Sequence, residues 1–492
     1  MISDASEFEA TQTATYDVCI VGSGPAGITL ALELNKAGLN VCLLEAGGNE
    51  GPNRLSEILK SGNTNHGHWY NLEGSRLIQL GGTSGHWSGY CAPLDDEDFM
   101  ANGLSEARWP ITAADLSKYD QRTSDILELG SLKATELHEP KKIHFKDTIQ
   151  EKMWRFSTPV RFAGKYREAL ENSSIMVLLG ALVRKIEFDD ANSNSVASVE
   201  VVNQAQQVFR IESRKFILCQ GCVETTRFLL TNEDQLKPRM AKSFDFVGRY
   251  FAEHPHFINF GKVLLYGENA QSERYRHYTV DTYGYSHFFQ IERNTRKKLQ
   301  LNNLVFRLDW DVEHDDFSKG FEDFLDQHGL KKSGTRLAAL SIMAEQMPNE
   351  ESRIFLKRDQ NEYGLNHIGL QWKLTENDLE TYRKSVDLFA RKLGASGLGR
   401  VFLAEKYRSE RLTKQLYGGN HHMGTTRMSE QGHTGVTDMH GKVWGIDNLF
   451  ICGSALFPTY GAANPTYTIV RLALRMARHL SSDFKSQALP EK

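Results

Sequence analysis

The chain has 492 residues, 40% hydrophobic and 24% charged, with 58 Lys+Arg against 62 Asp+Glu for a formal charge of −4. This balance offers no basic field to a nucleic-acid backbone, no apolar run reaches the roughly 18 residues of a membrane helix, and six scattered cysteines make no disulfide scaffold. The acidic, polar start MISDASEFEATQTAT lacks the basic-then-apolar order of a secretory signal, so a cytoplasmic soluble protein, long enough for two domains, is expected.

In chain order, the first element is the apolar run Val18, Cys19, Ile20, Val21, bounded by Gly22, which reads as a buried parallel strand. Apolar positions then recur at helical spacing through Ile28, Leu30, Ala31 and Leu34, with Gly38 as the stop. A second run, Val41 to Leu44, ends in Glu45 and completes a βαβ unit. Residues 74–93 are glycine-rich and aperiodic, a loop expected to lie against something. Residues 186–208 alternate as strands broken by a polar turn, and 211–230 read strand, glycine, helix. Strand-like runs follow at 257–265, 283–291 and 304–312, then a helix over 384–393. Residues 419–482 return to glycine-rich loop, a short strand at 449–452 and a terminal helix. The charged run 292–298 reads as a solvated turn.

Three segments carry chemistry. In the first, Gly22 permits a tight turn, Gly24 lets the backbone approach a pyrophosphate, and Gly27 lets the helix pack on the strand. The helix N-terminus supplies amide donors to phosphates, and Glu45, 23 residues after Gly22, is placed to accept from a ribose. The pattern does not separate NAD from FAD. In the second, Gly81, Gly82, Thr83, Ser84, Gly85, His86, Trp87, Ser88 and Gly89 suit a backbone pressed against a planar ligand, the alternative being a surface loop. The third holds His421, His422, Gly424 and Thr425, then Gly453, Ser454, Asn464, Pro465 and Thr466. A histidine serves as a neutral base near pH 7, an Asn side chain holds an alcohol oxygen, and Pro465 opens a helix whose first amides, at Thr466 and Tyr467, are free.

Taken together these residues resemble the glucose–methanol–choline (GMC) oxidoreductases, FAD enzymes, along almost the whole chain. The resemblance implies His421 of the His-x-x-Gly-Thr pattern as catalytic base, and Asn464, 43 residues later, as its partner. It implies FAD contacts from Gly22, Ser23, Gly24, Pro25, Ala26, Gly27, Glu45, Ala46, Gly82, Thr83, His86, Trp87, Ser88, Val183, Gly453, Ser454, Asn464, Pro465 and Thr466. The Asn-Pro-Thr run and His86-Trp87 are similar to the pyranose 2-oxidase and bacterial sugar dehydrogenase branch, in which some members carry FAD covalently on the histidine matching His86; attachment here is left open. Segments 183–186, 216–221 and 247–255 resemble the family's adenosine-side pieces. Cys452 departs from the pattern, where many members have Asp.

The implied fold is mixed α/β: a Rossmann-like FAD-binding domain from 14–100, 176–260 and 411–484, and a discontinuous substrate-binding domain from 101–175 and 261–410. The second is built on a largely antiparallel sheet, as in p-hydroxybenzoate hydroxylase, with 1–13 and 485–492 as flexible tails. The implied activity is oxidation of a CH–OH group of a sugar, glycoside or polyol, with oxygen, a quinone or a redox partner as acceptor. A primary alcohol on a natural-product precursor such as an aminosugar is the alternative substrate; a non-redox flavin lyase and a non-catalytic flavin-binding partner are the alternatives of other classes. Oligomeric state stays open. His66/His68, His254/His256 and His421/His422 lack a Cys or carboxylate at ligand spacing, so no metal is expected. Cys219 and Cys222 read as packing cysteines, and Trp69 and Tyr70 as sugar-site aromatics or a packed loop anchor.

Overall fold

A computed structural model describes the chain except residues 9–12, 102–104, 132–144, 146–147, 191–192, 268–274, 311–315, 330–334, 404–415 and 489–492. Its frame is a sheet in which Ile2–Asp4, Met176–Leu179, Val41–Glu45, Thr13–Val21 and Val208–Leu218 lie side by side and parallel. Val208–Leu218 then pairs antiparallel with Val196–Val202, which pairs with Leu182–Phe188. Its far end, Phe216 to Leu218, pairs parallel with Leu449–Ile451. Every residue of Val41–Glu45 is buried, as expected of a strand covered on both faces. The Pro25–Lys36 helix buries Ile28, Leu30, Ala31 and Leu34 and packs against the terminal Pro465–Ala488 helix.

A second sheet runs Gly399–Leu403, Pro255–Leu265, Arg336–Ala344, Leu304–Asp309, Tyr283–Ile291, Ile149–Phe156 and Tyr90–Cys91, antiparallel throughout. Strand alternation divides its residues between two cores. Phe289, Phe306, Leu340 and Ile342 join Tyr382 and Phe389 of the Glu376–Ala395 helix, while Trp154, Phe288, Val305 and Met343 join the core of the first sheet. The second sheet therefore roofs the first. A small third sheet, Arg353–Gln360, Asn366–Trp372 and Thr64–Gly67, packs beside the Gly221–Thr231 helix. No helix among the described residues is long and apolar enough to cross a membrane.

Several segments depart from the sequence reading. Ile2–Asp4, expected in a flexible tail, forms the edge strand of the first sheet, and Asp4 caps the short turn after it by accepting the Ser6 N–H at 2.8 Å. At the other end, 485–488 continue the terminal helix; 489–492 lie outside the described residues. Among the described residues of 101–175, only Ile149–Phe156 joins the second sheet. The helices Ala113–Ser117, Asp120–Ile126 and Phe162–Glu171 bury Leu116, Ile126, Phe162 and Leu170 in the core of the first. Residues 292–298 are no solvated turn. Glu292 caps the helix Arg293–Leu299, and Arg296 turns inward to pair with Glu97.

Candidate functional site

Three helix N-termini face one cavity of about 500 Å³ between the sheets: those of Pro25–Lys36, Gly221–Thr231 and Pro465–Ala488. Neither Gly24 nor Gln220, the residues before the first two, caps its helix with a side chain, so the amide ends are available. Gly22 sits at φ +101°, and a Cβ there would lie 2.6 Å from the Cys219 carbonyl oxygen; at Gly27 it would lie 1.9 Å from that of Gly22. A Cβ on Gly24 meets nothing within 4 Å. Two of the glycines are therefore closed against protein, and the third opens on the cavity.

Glu45 is buried at the strand end, accepting the Ser23 N–H at 3.0 Å, the Ser23 hydroxyl at 2.6 Å and the Gly47 N–H at 2.8 Å. Burial raises its carboxyl pKa against those donors. The glycine turn and the acid thus form one preorganised unit.

Histidines gather at another part of the cavity. Residues 252–254 pair antiparallel with 419–423: Ala252 and Met423 exchange N–H···O bonds at 3.0 Å each, and the Gly419 N–H reaches the His254 carbonyl at 3.1 Å. This pairing brings His254 against His421, Nδ1 to Nδ1 at 3.0 Å. His256 lies edge-on to His421, their ring centres 5.8 Å apart. On the opposite side, Asn464 Nδ2 is 3.1 Å from His421 Nε2. The Glu253 carboxylate underlies the cluster, accepting the backbone N–H of His421 at 2.6 Å and of His254 at 2.8 Å, and the Tyr70 hydroxyl at 2.6 Å. His422 turns to that hydroxyl, its Nε2 at 2.8 Å.

Burial makes all four rings weak bases. It brings His254 to about 4 and His256 and His422 to about 3, and with the neighbouring histidines holds His421 well below its ordinary 6.5. The same burial pushes Glu253 up to about 7. Neutral imidazoles with one shared contact between Nδ1 atoms, and an Nε2 at the cavity wall beside the Asn464 amide, are suited to taking a proton from a hydroxyl.

A family model described as "GMC oxidoreductase" matches residues 348–473, and one described as "FAD dependent oxidoreductase" matches 17–255. Among curated proteins, 6'''-hydroxyparomomycin C oxidase of Streptomyces lividus is 24% identical, the match covering 96% of this chain and 92% of the relative. Paromamine 6'-oxidase of Streptomyces fradiae is 22% identical over the same shares, 96% and 92%. Pyridoxine 4-oxidase from Mesorbium loti has the same fold at a TM-score of 0.57 and 16% identity, over 94% of this chain and 98% of that one. The chain thus carries a GMC oxidoreductase domain joined to an FAD-dependent oxidoreductase domain.

It is an FAD-dependent enzyme, and the cavity fits that cofactor on its own features. The unfilled Cβ direction of Gly24 opens on a space lined by amide-rich turns, and Asn464 and Gln220, whose buried side-chain oxygens have no partner in the structure, belong to its wall. Of the cofactor residues expected, Gly22, Ser23, Gly24, Pro25, Ala26, Glu45, Ala46, Gly82, Thr83, His86, Trp87, Ser88, Val183, Gly453, Ser454, Asn464, Pro465 and Thr466 line the cavity with His421. Gly27 does not line it; its place is the close packing of helix on turn. Residues 247–255, expected on the adenosine side, instead underlie the 419–425 loop, with His254 against His421. Cys452 lines the cavity beside Cys219, both as buried thiols, and Cys222 meets Thr425 at 3.0 Å. Tyr70 is a buried anchor of the histidine cluster, whereas Trp69 is exposed.

Sequence reasoning missed Tyr90, Arg307 and Met343, which line the cavity. Gln220 and Glu253 fell within segments 216–221 and 247–255, read as adenosine-side pieces without a role for either residue, and His256 was weighed only as a metal ligand.

The glycines supply a sharp test of where the cofactor lies. Gly24→Val is expected to leave apoprotein stability unchanged, since its backbone (φ −70°) and surroundings admit a side chain, while weakening FAD binding by roughly tenfold to a hundredfold, the equivalent of about 1–3 kcal/mol of overpacking. Gly27→Val should instead lower the apoprotein melting temperature. Flavin content after dialysis and apoprotein melting distinguish the two, and equal FAD affinity in Gly24→Val would place the pyrophosphate elsewhere.

Proposed function

We propose that this enzyme oxidises a CH–OH group of a sugar, glycoside or related polyol to a carbonyl, with His421 as base. The observation that carries the reading is the His421–Asn464 pair, whose facing nitrogens are 3.1 Å apart at the wall of the cavity where the Pro465–Ala488 helix begins. His421 Nε2 takes the hydroxyl proton, and the Asn464 amide holds the oxygen in line with it. FAD, when bound, supplies the acceptor for the hydride leaving the carbon. The amides of Thr466 and Tyr467 offer their positive helix end to negative charge in the cavity. The second sheet contributes Tyr90, His256, Arg307 and Met343 to the cavity wall. The glycine turn at 22–27, Glu45, Ala46, Val183, residues 82–88 and residues 453–454 are the proposed cofactor contacts.

The activity is tested by an anaerobic screen of neutral sugars, glycosides, aminosugars and alkyl alcohols, reading loss of flavin absorbance. Bleaching by none of them, with the protein carrying FAD, refutes the oxidative reading and favours the lyase.

The aminosugar alternative draws on the two Streptomyces relatives, but the cavity favours a neutral substrate. Among the described residues its lining carboxylates are already engaged, Glu45 on Ser23 and Gly47, and Glu224 on Arg76 at 3.0 Å and Arg227 at 3.4 Å. The cation near the histidines, Arg307, is held by Asp309 at 2.6 Å. Among the described residues an ammonium group finds no free counter-charge there. A neutral glycoside is expected to show kcat/KM at least about tenfold above its amino analogue at pH 7, about 1.4 kcal/mol. The gap should narrow as pH rises and the amine loses its proton; an amino analogue preferred at pH 7 would reverse the assignment.

A further inference from the structure

The two histidines at 3.0 Å raise a question of protons that the base role alone does not answer. Their contact joins Nδ1 to Nδ1, so one ring must donate and the other accept. The far nitrogen of His254, Nε2, faces the Tyr460 carbonyl oxygen at 3.4 Å. A carbonyl only accepts, so the His254 proton belongs on Nε2. The ring is fully buried and neutral, which leaves its Nδ1 bare. His421 must then carry its proton on Nδ1, and its Nε2 has the lone pair. The Asn464 Nδ2 group, 3.1 Å from that Nε2, donates to it in this arrangement.

We propose that His254 is a positioning residue that, anchored through Nε2–H to the Tyr460 carbonyl, holds His421 in the Nδ1–H tautomer and so presents a bare Nε2 to the substrate hydroxyl. The inference rests on the reading of His421 as base. When Nε2 takes the substrate proton, the resulting imidazolium keeps its Nδ1–H bond to His254, and no second proton moves. His256, His422 and Glu253 are the titratable groups around this pair. Glu253 bonds the backbone amides of both histidines rather than their rings, His422 pairs with Tyr70, and His256 Nε2 has no partner. His254 is thus the ring whose own hydrogen bonding dictates which nitrogen of His421 is bare.

The test begins with the unmodified holoenzyme. Nitrogen NMR of histidine-labelled protein, with His421 assigned by the signal lost in His421→Gln, should show a protonated Nδ1 and a bare Nε2 at His421. His254→Leu removes the acceptor and should slow anaerobic flavin reduction on the order of 10²-fold or more, the scale of general-base catalysis, with KM and FAD content little changed. His254→Asn places its Oδ1 near the lost Nδ1 and should restore the rate to within about tenfold. A protonated Nε2 at His421 in the wild type, or a wild-type rate in His254→Leu, overturns the proposal. If His421→Ala is itself as fast as wild type, the base assignment falls. If His421→Ala is slow and His254→Leu fast, only the tautomer role falls. Should the Leu variant not fold, the wild-type spectrum and the Asn variant still decide.

Discussion

His421→Ala should slow flavin reduction by its substrate roughly 10²-fold to 10⁴-fold, the contribution of a positioned general base, while the protein keeps its FAD. Asn464→Ala should cost less, about tenfold to a hundredfold, because one of two contacts to the oxygen remains. His422→Ala is the control: its ring bonds Tyr70 rather than Asn464, and its effect should be smaller. Rapid-mixing anaerobic reduction at saturating substrate measures all three. The pH profile adds a second reading. Burial first, then His254, His256 and His422, hold the His421 pKa well below 6.5, so the neutral base persists and the reduction rate should stay level from about pH 8 down to 6.5. A His421→Ala rate equal to wild type would leave fold and cofactor standing and remove the mechanism.

Acid should destabilise the protein, for the same physical reason. His254, His256, His421 and His422 are neutral in the fold with depressed pKa values, so each contributes stability that is present above the unfolded value of 6.5 and is lost as pH falls toward the folded value. Glu253 runs the other way. Its pKa is raised from 4.5 to about 7, so it contributes stability at low pH that fades as pH rises across that window. Within this cluster four rings gain a proton on unfolding between pH 6.5 and 4.5 and one carboxyl gives one up, a slope of at most about 4 kcal/mol per pH unit at about 1.4 kcal/mol per proton. Elsewhere the buried Glu45, Asp98, Glu345 and Asp378 also have raised pKa values and oppose the rings. Stability should therefore fall toward acid by less than that limit. Denaturant titrations at pH 7.5, 6.5 and 5.5 check this, and stability that rises toward pH 5.5 would overturn it.

The parts legible in the sequence were those written in contiguous residues. Gly22, Gly24, Gly27 and Glu45 sit in one βαβ unit whose periodicity shows the strand, turn and helix directly, and the unit appears as read. His421 and Asn464 came from family spacing rather than from periodicity, and the structure places their side chains together. Glu253 and His254 escaped because their meaning depends on pairing with 419–423, some 168 residues away, which no local pattern encodes. Arg307 and Met343 escaped likewise, as single positions on alternating strands where only the roofing of one sheet by another shows which face meets the cavity. Charge misled at 292–298, where Arg and Lys dominate; Glu292 caps a helix there, and one arginine of the run turns inward.

The two loops bearing His421 and Asn464 are each moored by a buried carboxylate. Glu253 holds the backbone of His421, and Glu345, next after the Arg336–Ala344 strand, accepts the Gly461 N–H at 3.0 Å and the Tyr460 N–H at 3.3 Å. Glu345 also accepts the Asn303 N–H at 3.1 Å, tying the second sheet to the loop that leads into the terminal helix. Swinging the roof away from the first sheet would exchange the Glu253 and Glu345 bonds to the two loops for bonds to water, at about 0.5–1.5 kcal/mol net apiece. Passage of substrate and product through a fixed doorway is therefore cheaper than a hinged gate. In such an architecture the two catalytic loops keep their spacing whether or not a molecule sits between them.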